Sequence, residues 1–197
     1  NVETAYALKD VTNYLVGSTS EVLADGIPYS EVFGHIIGQP DYGKWIDGFY
    51  QHYSSTPLPY GSLSAIRCGK YIEDMATVMK AINQTYTFNT GNLNNVQFLD
   101  GYDNHVFFDL SSYIDELDVL SPLRANFDQA LQDLVPYKAS TPYIYTMYTN
   151  SYRQGDSEHH DNTFKVDKFC GITISDPTRN ATVFDNKKQT AWWKATH

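Results

Sequence analysis

Apolar residues along this 197-residue chain fall in short blocks that alternate between helical and strand spacing. The opening block, Asn1 to Tyr29, sets the scheme. Asn1 is placed to cap a helix whose first turn holds Glu3, and Ala5, Tyr6, Leu8 and Val11 form an apolar stripe at helical spacing. Tyr14-Leu15-Val16 follows as a short, β-friendly apolar run closed by Gly17-Ser18, the pattern of a buried parallel strand. A polar loop then presents one carboxylate, Asp25, between Ala24 and Gly26.

The same alternation continues downstream. Pro28 to Ile37 predicts a second helix capped by Ser30, and the Gly-, Pro- and aromatic-rich stretch 38–59 reads as mostly loop. Ser62 to Ile66 alternates as a strand, and Ile72, Met75, Val78, Met79 and Ile82 predict a helix over 71–83. The polar, Asn-rich run 85–103 reads as an exposed excursion. Val106 to Leu110 is a short apolar segment. Ser121-Pro122 opens a helix with Pro at its first position, Leu123, Phe127, Leu131 and Leu134 on its buried face, and Pro136 as its stop. Further strands are expected over 143–147 and 169–174, with a charged loop over 151–165 between them. A tail helix over 190–196 docks Trp192 and Trp193. Strands alternating with helices of ten or more residues indicate an α/β domain, a mainly parallel sheet with helices on its faces. No internal repeat or linker divides the chain.

Composition narrows the function classes. With 42% hydrophobic and 19% charged residues, a sizeable core is available to one domain. A net charge of -9 and no basic run exclude a phosphate-neutralising surface, so no nucleic-acid partner is expected. An acidic surface suits cationic substrates and also simple solubility. No apolar run reaches the roughly 18 residues of a membrane span. Sixteen tyrosines give a surface suited to peptide or carbohydrate grooves.

Candidate chemistry is sparse. Cys68 follows a strand and precedes Gly69 and a helix, a place where α/β enzymes put nucleophiles, yet no GxSxG-like elbow surrounds it, and a buried structural thiol has the same pattern. Cys170, inside Phe169-Cys170-Gly171-Ile172, reads as an inert thiol among apolar residues, and a Cys68–Cys170 bridge is the third reading. His159-His160-Asp161 sits in a charged loop with Asp156 and Glu158, and adjacent histidines ligate one metal poorly. His35 lies in a helical pattern beside Ile36 and reads as a packed residue. Asp25, next to a glycine that allows a sharp turn, is either an ordinary turn residue or a carboxylate that pairs a substrate Lys or Arg.

The words Val2-Glu3-Thr4-Ala5-Tyr6-Ala7-Leu8-Lys9-Asp10 and Ala24-Asp25-Gly26-Ile27-Pro28-Tyr29 resemble the clostripain-like cysteine peptidases. So do the strand at 62–66 with its following helix, Phe108-Asp109-Leu110, Cys170 to Ile174, and the aromatic tail Thr190 to Thr196. The Asn-rich 85–103 region has no counterpart in the resemblance. The resemblance implies a caspase-like three-layer sandwich, with residues 1–197 as the carboxy-terminal part of one peptidase domain. It also implies a catalytic Asp-Ala-Cys and a His-Gly that precede Asn1, so the chain alone is expected to be inactive. In that chemistry a thiolate attacks the peptide carbonyl, the histidine protonates the leaving amine, and backbone N–H groups hold the oxyanion. Asp25 corresponds to an acidic residue of the primary specificity pocket, which explains cleavage after Arg or Lys. Ser18 is then a candidate pocket wall and Trp192 a candidate flank of the groove.

The expected partners are a peptide or protein substrate with Arg or Lys and the amino-terminal fragment of the same peptidase, joined after proteolytic processing. No cofactor is required by this chemistry, and calcium is left open. A secreted, periplasmic or cell-surface bacterial location follows from the resemblance. The alternative is a non-catalytic relative or binding module that recognises basic peptides or glycans.

Overall fold

The computed structural model describes residues 1–147 and 162–197. Helix α1 (Val2–Ala7) begins where the Asn1 side chain accepts a hydrogen bond from the Thr4 N–H at 2.9 Å. It buries Val2 and Ala5 but ends before the expected stripe does, and Val11 is 74% exposed. The Thr12 hydroxyl donates to the Tyr14 carbonyl and turns the chain into β1 (Tyr14–Gly17). Helix α2 (Tyr29–Val32) is short and passes into a 3₁₀ turn over Phe33–His35.

The stretch expected to be loop contains a fourteen-residue helix, α3 (Tyr42–Ser55), capped by Asp41 through the Lys44 N–H. Two glycines and many aromatics lower its intrinsic propensity, and packing overrides that preference. Ile46, Phe49 and Tyr53 share its buried face. A Cβ on Gly48 would lie 2.9 Å from Val32 Cγ1, so glycine lets α2 and α3 approach closely.

Next come β2 (Ser62–Arg67) and the long helix α4 (Lys70–Thr85). After them are β3 (Phe108–Asp109), α5 (Leu110–Asp115), α6 (Leu123–Leu134), β4 (Tyr137–Ser140) and β5 (Tyr143–Tyr145). The described chain ends with β6 (Thr163–Lys165), β7 (Thr173–Ile174), α7 (Ala181–Lys187) and α8 (Ala191–Thr196). Pro122 stands at the cap of α6 rather than at its first position.

The expected parallel sheet is not what pairs. Among the described residues the central sheet runs β1-β2-β4, with Tyr14 opposite Arg67 and Ala65 opposite Tyr137, both pairs antiparallel. The β3–β7 and β5–β6 ribbons are antiparallel as well, and among the described residues only the isolated bridge from Tyr60 to Tyr143 is parallel. Strand–helix alternation sets burial, not direction. A single crossover helix returns the chain parallel, whereas the excursion from β1 to β2 holds both α2 and α3 and re-enters from the other end.

Helices cover both faces of this sheet. Leu63 and Ala65, with Tyr14 and Val16, pack on Ile46, Phe49 and Tyr53 of α3. Leu15 and Ile66 point the other way into the main core, with Met75 and Met79 of α4, Phe127 of α6 and Trp192 of α8. The Asn-rich excursion is anchored rather than exposed. It forms a 3₁₀ turn at Thr90–Asn95, and Val96, Leu99 and Asp100 are buried. Of the strand expected over 169–174 only Thr173–Ile174 pairs, because Gly171 adopts φ +83° and breaks the extended run. Cys68 and Cys170 are both free and buried, so the bridge is not formed.

Candidate functional site

An open cleft of about 710 Å³ lies at the amino-terminal end of α1, along the face of β1 that carries Leu15 and Gly17. Asn1 and Thr4 form one side of it. The loop Ser18-Thr19-Ser20-Glu21 continues the wall beyond β1, and Leu99, Asp100, Tyr102 and Phe107 close the opposite side. The excursion expected to be exposed therefore supplies Leu99, Asp100 and Tyr102 to the cleft wall.

Each wall is held by a polar knot. On the first, Ser62 Oγ at the start of β2 meets the hydroxyls of Ser18 at 2.9 Å, Ser20 at 3.0 Å and Thr19 at 3.1 Å, and accepts the Thr19 N–H at 3.3 Å. Glu21 ties this loop to the end of β5, accepting from the Thr146 hydroxyl at 2.5 Å and the Met147 N–H at 2.9 Å. On the second, the buried Asp100 carboxylate accepts the N–H groups of Tyr102, Val106 and Phe107 at 2.9, 2.7 and 2.5 Å. His105, stacked on Phe98 at 3.8 Å, approaches the same carboxylate at 3.3 Å.

Beneath α1 lies a buried charged cluster. Glu3 Oε1 accepts from the Ser175 N–H at 3.0 Å and from the Ser175 hydroxyl. Asp176 is almost fully enclosed, and its carboxyl is pushed up to about 7, first by burial and then by the nearby Glu3, with Lys187 opposing. The Lys187 ammonium donates to the Asp176 backbone carbonyl, and burial lowers its own pKa.

The sequence-predicted residues are only partly brought together. Ser18 lines the cleft. Asp25 stands exposed on the next turn, outside that lining; the turn is closed by Gly26 N–H to Leu23 carbonyl at 2.9 Å, with Gly26 at φ +68°. Trp192 does not flank a groove: it is fully buried, edge-on to the Tyr6 ring at 5.9 Å. Burial pushes the thiols of Cys68 and Cys170 up, which leaves them poor nucleophiles. His35 sits in the 3₁₀ turn, half-buried. His159, His160 and Asp161 lie outside the described residues. Among the described residues no group of three or more His, Cys, Asp or Glu side chains is placed to hold a metal ion, and no helix is long and apolar enough to cross a membrane.

Sequence reasoning missed Ser62, Glu21 and Asp100. The run Ser18-Thr19-Ser20-Glu21 was a visible signal of a polar wall. Nothing local marked Ser62, more than forty positions away, as its anchor.

No protein-family model matches the chain, and no curated protein does. Solved structures do. The chain is similar, at 41% identity and TM-score 0.91, to a clostripain from Bacteroides thetaiotaomicron in complex with the peptide inhibitor BTN-VLTK-AOMK; the match covers 100% of this chain and 82% of that one. It is equally similar, at 41% identity and TM-score 0.90, to a secreted C11 cysteine protease from the same organism, of whose length it spans 52%. An inactive zymogen C11 protease from Parabacteroides distasonis shares the fold at 22% identity and TM-score 0.82. From the α1 end to the aromatic tail, the chain belongs to the clostripain, or C11, family of cysteine proteases.

Proposed function

We propose that residues 1–197 are the carboxy-terminal part of a clostripain-type endopeptidase that cleaves after Arg or Lys, with its catalytic cysteine and histidine upstream of Asn1. In this reading the central sheet is part of a caspase-like three-layer sandwich completed by the upstream segment. The observation that carries the reading is the cleft at the amino-terminal end of α1. A cysteine just before that helix faces the cleft. A peptide lying along Leu15, Gly17 and Ser18 is then presented to it. The relative that spans most of the same length holds an inhibitor whose peptide part ends in lysine.

Asp25 is proposed to receive the basic side chain. The two carboxylates that line the cleft, Glu21 and Asp100, are already engaged by protein donors, whereas Asp25 is exposed. A guanidinium or ammonium pairs with such a carboxylate through charge-assisted hydrogen bonds. Ser18 shapes the adjoining wall. The thiolate then adds to the peptide carbonyl, the histidine protonates the leaving amine, and water releases the acyl group. A secreted or cell-surface location and assembly with an amino-terminal fragment belong to the same proposal.

The test is the full-length protein carrying Asp25→Ala. Cleavage after Arg and Lys is expected to be lost while the circular dichroism spectrum is retained; unchanged kinetics on Arg substrates overturn the assignment of Asp25. A gene with no Asp-Ala-Cys ahead of Asn1, or with that cysteine replaced, overturns the peptidase reading itself.

A further inference from the structure

The two walls of the cleft differ in how they are built. The Asp100 wall is held by one carboxylate that accepts three backbone N–H groups from its own loop, a local device. The Ser18-Thr19-Ser20 wall has a local bond from the Ser20 N–H to Ser18 Oγ at 3.1 Å, but its shared anchor lies elsewhere. Its three hydroxyls converge on a single atom of another element, Ser62 Oγ, at 2.9–3.1 Å.

A serine hydroxyl has one proton to donate and two lone pairs. Three hydroxyl partners and the Thr19 N–H crowd this oxygen, so Ser62 has no capacity left for a substrate. The Ser62 side chain is itself buried, 1% exposed, so it acts only through its neighbours. Its location explains why it is a serine. Along β2, Leu63 and Ala65 face the α3 side, while Ser62 and Ile66 lie on the opposite face. Ser62 also stands opposite Ser140 of β4, so the anchor sits on the central strand of the sheet.

We infer that Ser62 is a positioning residue for peptide binding: its hydroxyl holds Ser18, Thr19 and Ser20 as one rigid wall of the cleft. This rests on the reading of that cleft as the substrate site. Without Ser62 Oγ, the Ser18 and Ser20 hydroxyls keep only each other and bonds within their own loop, and the link to β2 is lost, so a bound peptide must order the loop again. The loss then falls on binding and leaves the chemical step untouched.

The experiment compares the full-length protease with its Ser62→Ala variant on peptides ending in Arg or Lys, active sites being counted by titration with an irreversible peptide inhibitor. The expected result is a KM raised about tenfold with kcat per titrated site within twofold. Unchanged KM overturns the inference, and so does a fall in kcat at constant KM. A purely structural role would lower the number of titrated sites without moving KM. Ser62→Cys, which keeps the side-chain shape with a slightly larger, weakly bonding thiol, reads the same quantity should the Ala variant not fold.

A control separates this inference from the reading beneath it. A Cβ on Gly17 meets nothing within 4 Å, and Gly17 shares the cleft face with Leu15. Gly17→Leu therefore places a bulky side chain on the cleft wall at a position whose Cβ has open space. If Gly17→Leu leaves cleavage unchanged, the cleft is not the substrate site and both readings fall. If it blocks cleavage while Ser62→Ala changes nothing, only the role of Ser62 falls.

Discussion

The Tyr53 hydroxyl donates to the Gly26 carbonyl at 2.5 Å, pinning the turn that bears Asp25 to helix α3. The Tyr53 side chain is enclosed, its ring packed on Phe49 at 4.7 Å and edge-on to His52 at 5.2 Å. The neighbouring His52 reaches Glu31 of α2 at 2.8 Å, so one turn of α3 holds the chain that follows Asp25 at both Gly26 and Glu31. Burial and the nearby Asp25 both raise the Tyr53 phenol, which stays a neutral donor at working pH.

Tyr53→Phe removes that donor and leaves the Gly26 carbonyl without it. The expected cost is about 1–2 kcal/mol of stability, read from the urea midpoint at an unchanged m-value. A midpoint that does not move would mean that the turn is held by its own Leu23–Gly26 hydrogen bond alone.

Gly171→Ala is expected to be among the most damaging single-methyl additions in the chain. The residue sits at φ +83°, and a Cβ there would lie 2.8 Å from Lys138 Cβ, Ser64 Oγ and Val135 Cγ1. Left-handed backbone costs an alanine about 1–2 kcal/mol and overpacking about 1–3 more. Thermal unfolding checks this, and a melting temperature within two degrees of the parent would refute the contact geometry.

Asp176 makes stability fall as pH rises. Its folded pKa of about 7 lies above the ordinary 3.8, so the folded state holds the proton more tightly. The carboxyl therefore favours folding fully below about pH 4, loses that contribution between pH 4 and 7, and adds no slope above. Glu3, Lys187, Tyr113 and His197, the last at 3.9 Å, are the ionisable groups around it. Asp176→Asn is expected to flatten this part of the profile and to gain on the order of 2 kcal/mol at pH 8. Denaturant titrations of both proteins at pH 4, 6 and 8 measure the difference; identical slopes would contradict it.

Cys68 and Cys170 are expected to be silent. Burial pushes both thiols up, and Asp109 near Cys170 adds to the effect. A thiol alkylating agent at pH 7.5 should leave both unmodified in the native full-length protein, as peptide mass mapping would show. Cys68→Ala should retain full peptidase activity. Labelling of Cys68 faster than unfolding would reopen it as a nucleophile.

Much of the fold was legible because hydrophobic spacing reports burial. The stripe Ile72, Met75, Met79, Ile82 located α4, which runs from Lys70 to Thr85 and buries all four residues. The Asn1 cap was legible for a similar reason, since it accepts the Thr4 N–H within one turn, whereas Ser30 lies inside α2, which starts at Tyr29 after Pro28 with no side-chain cap. Helix α3 was hidden because Gly43 and Gly48 argue against a helix locally, and their value lies in contacts with Tyr137 and Val32 that no window contains.

The sequence by itself determined the helix and strand segments with the strongest periodicity, the acidic character, and the family, whose opening and closing words survive without any structure. Those properties depend on residues close in the chain. Only the tertiary structure decided that the sheet is antiparallel, that Trp192 belongs to the core, that the Asn-rich excursion walls a cleft, and that Ser62 anchors the loop at Ser18. Each of these is set by groups brought together across long stretches of chain, and spacing within one segment carries no information about them.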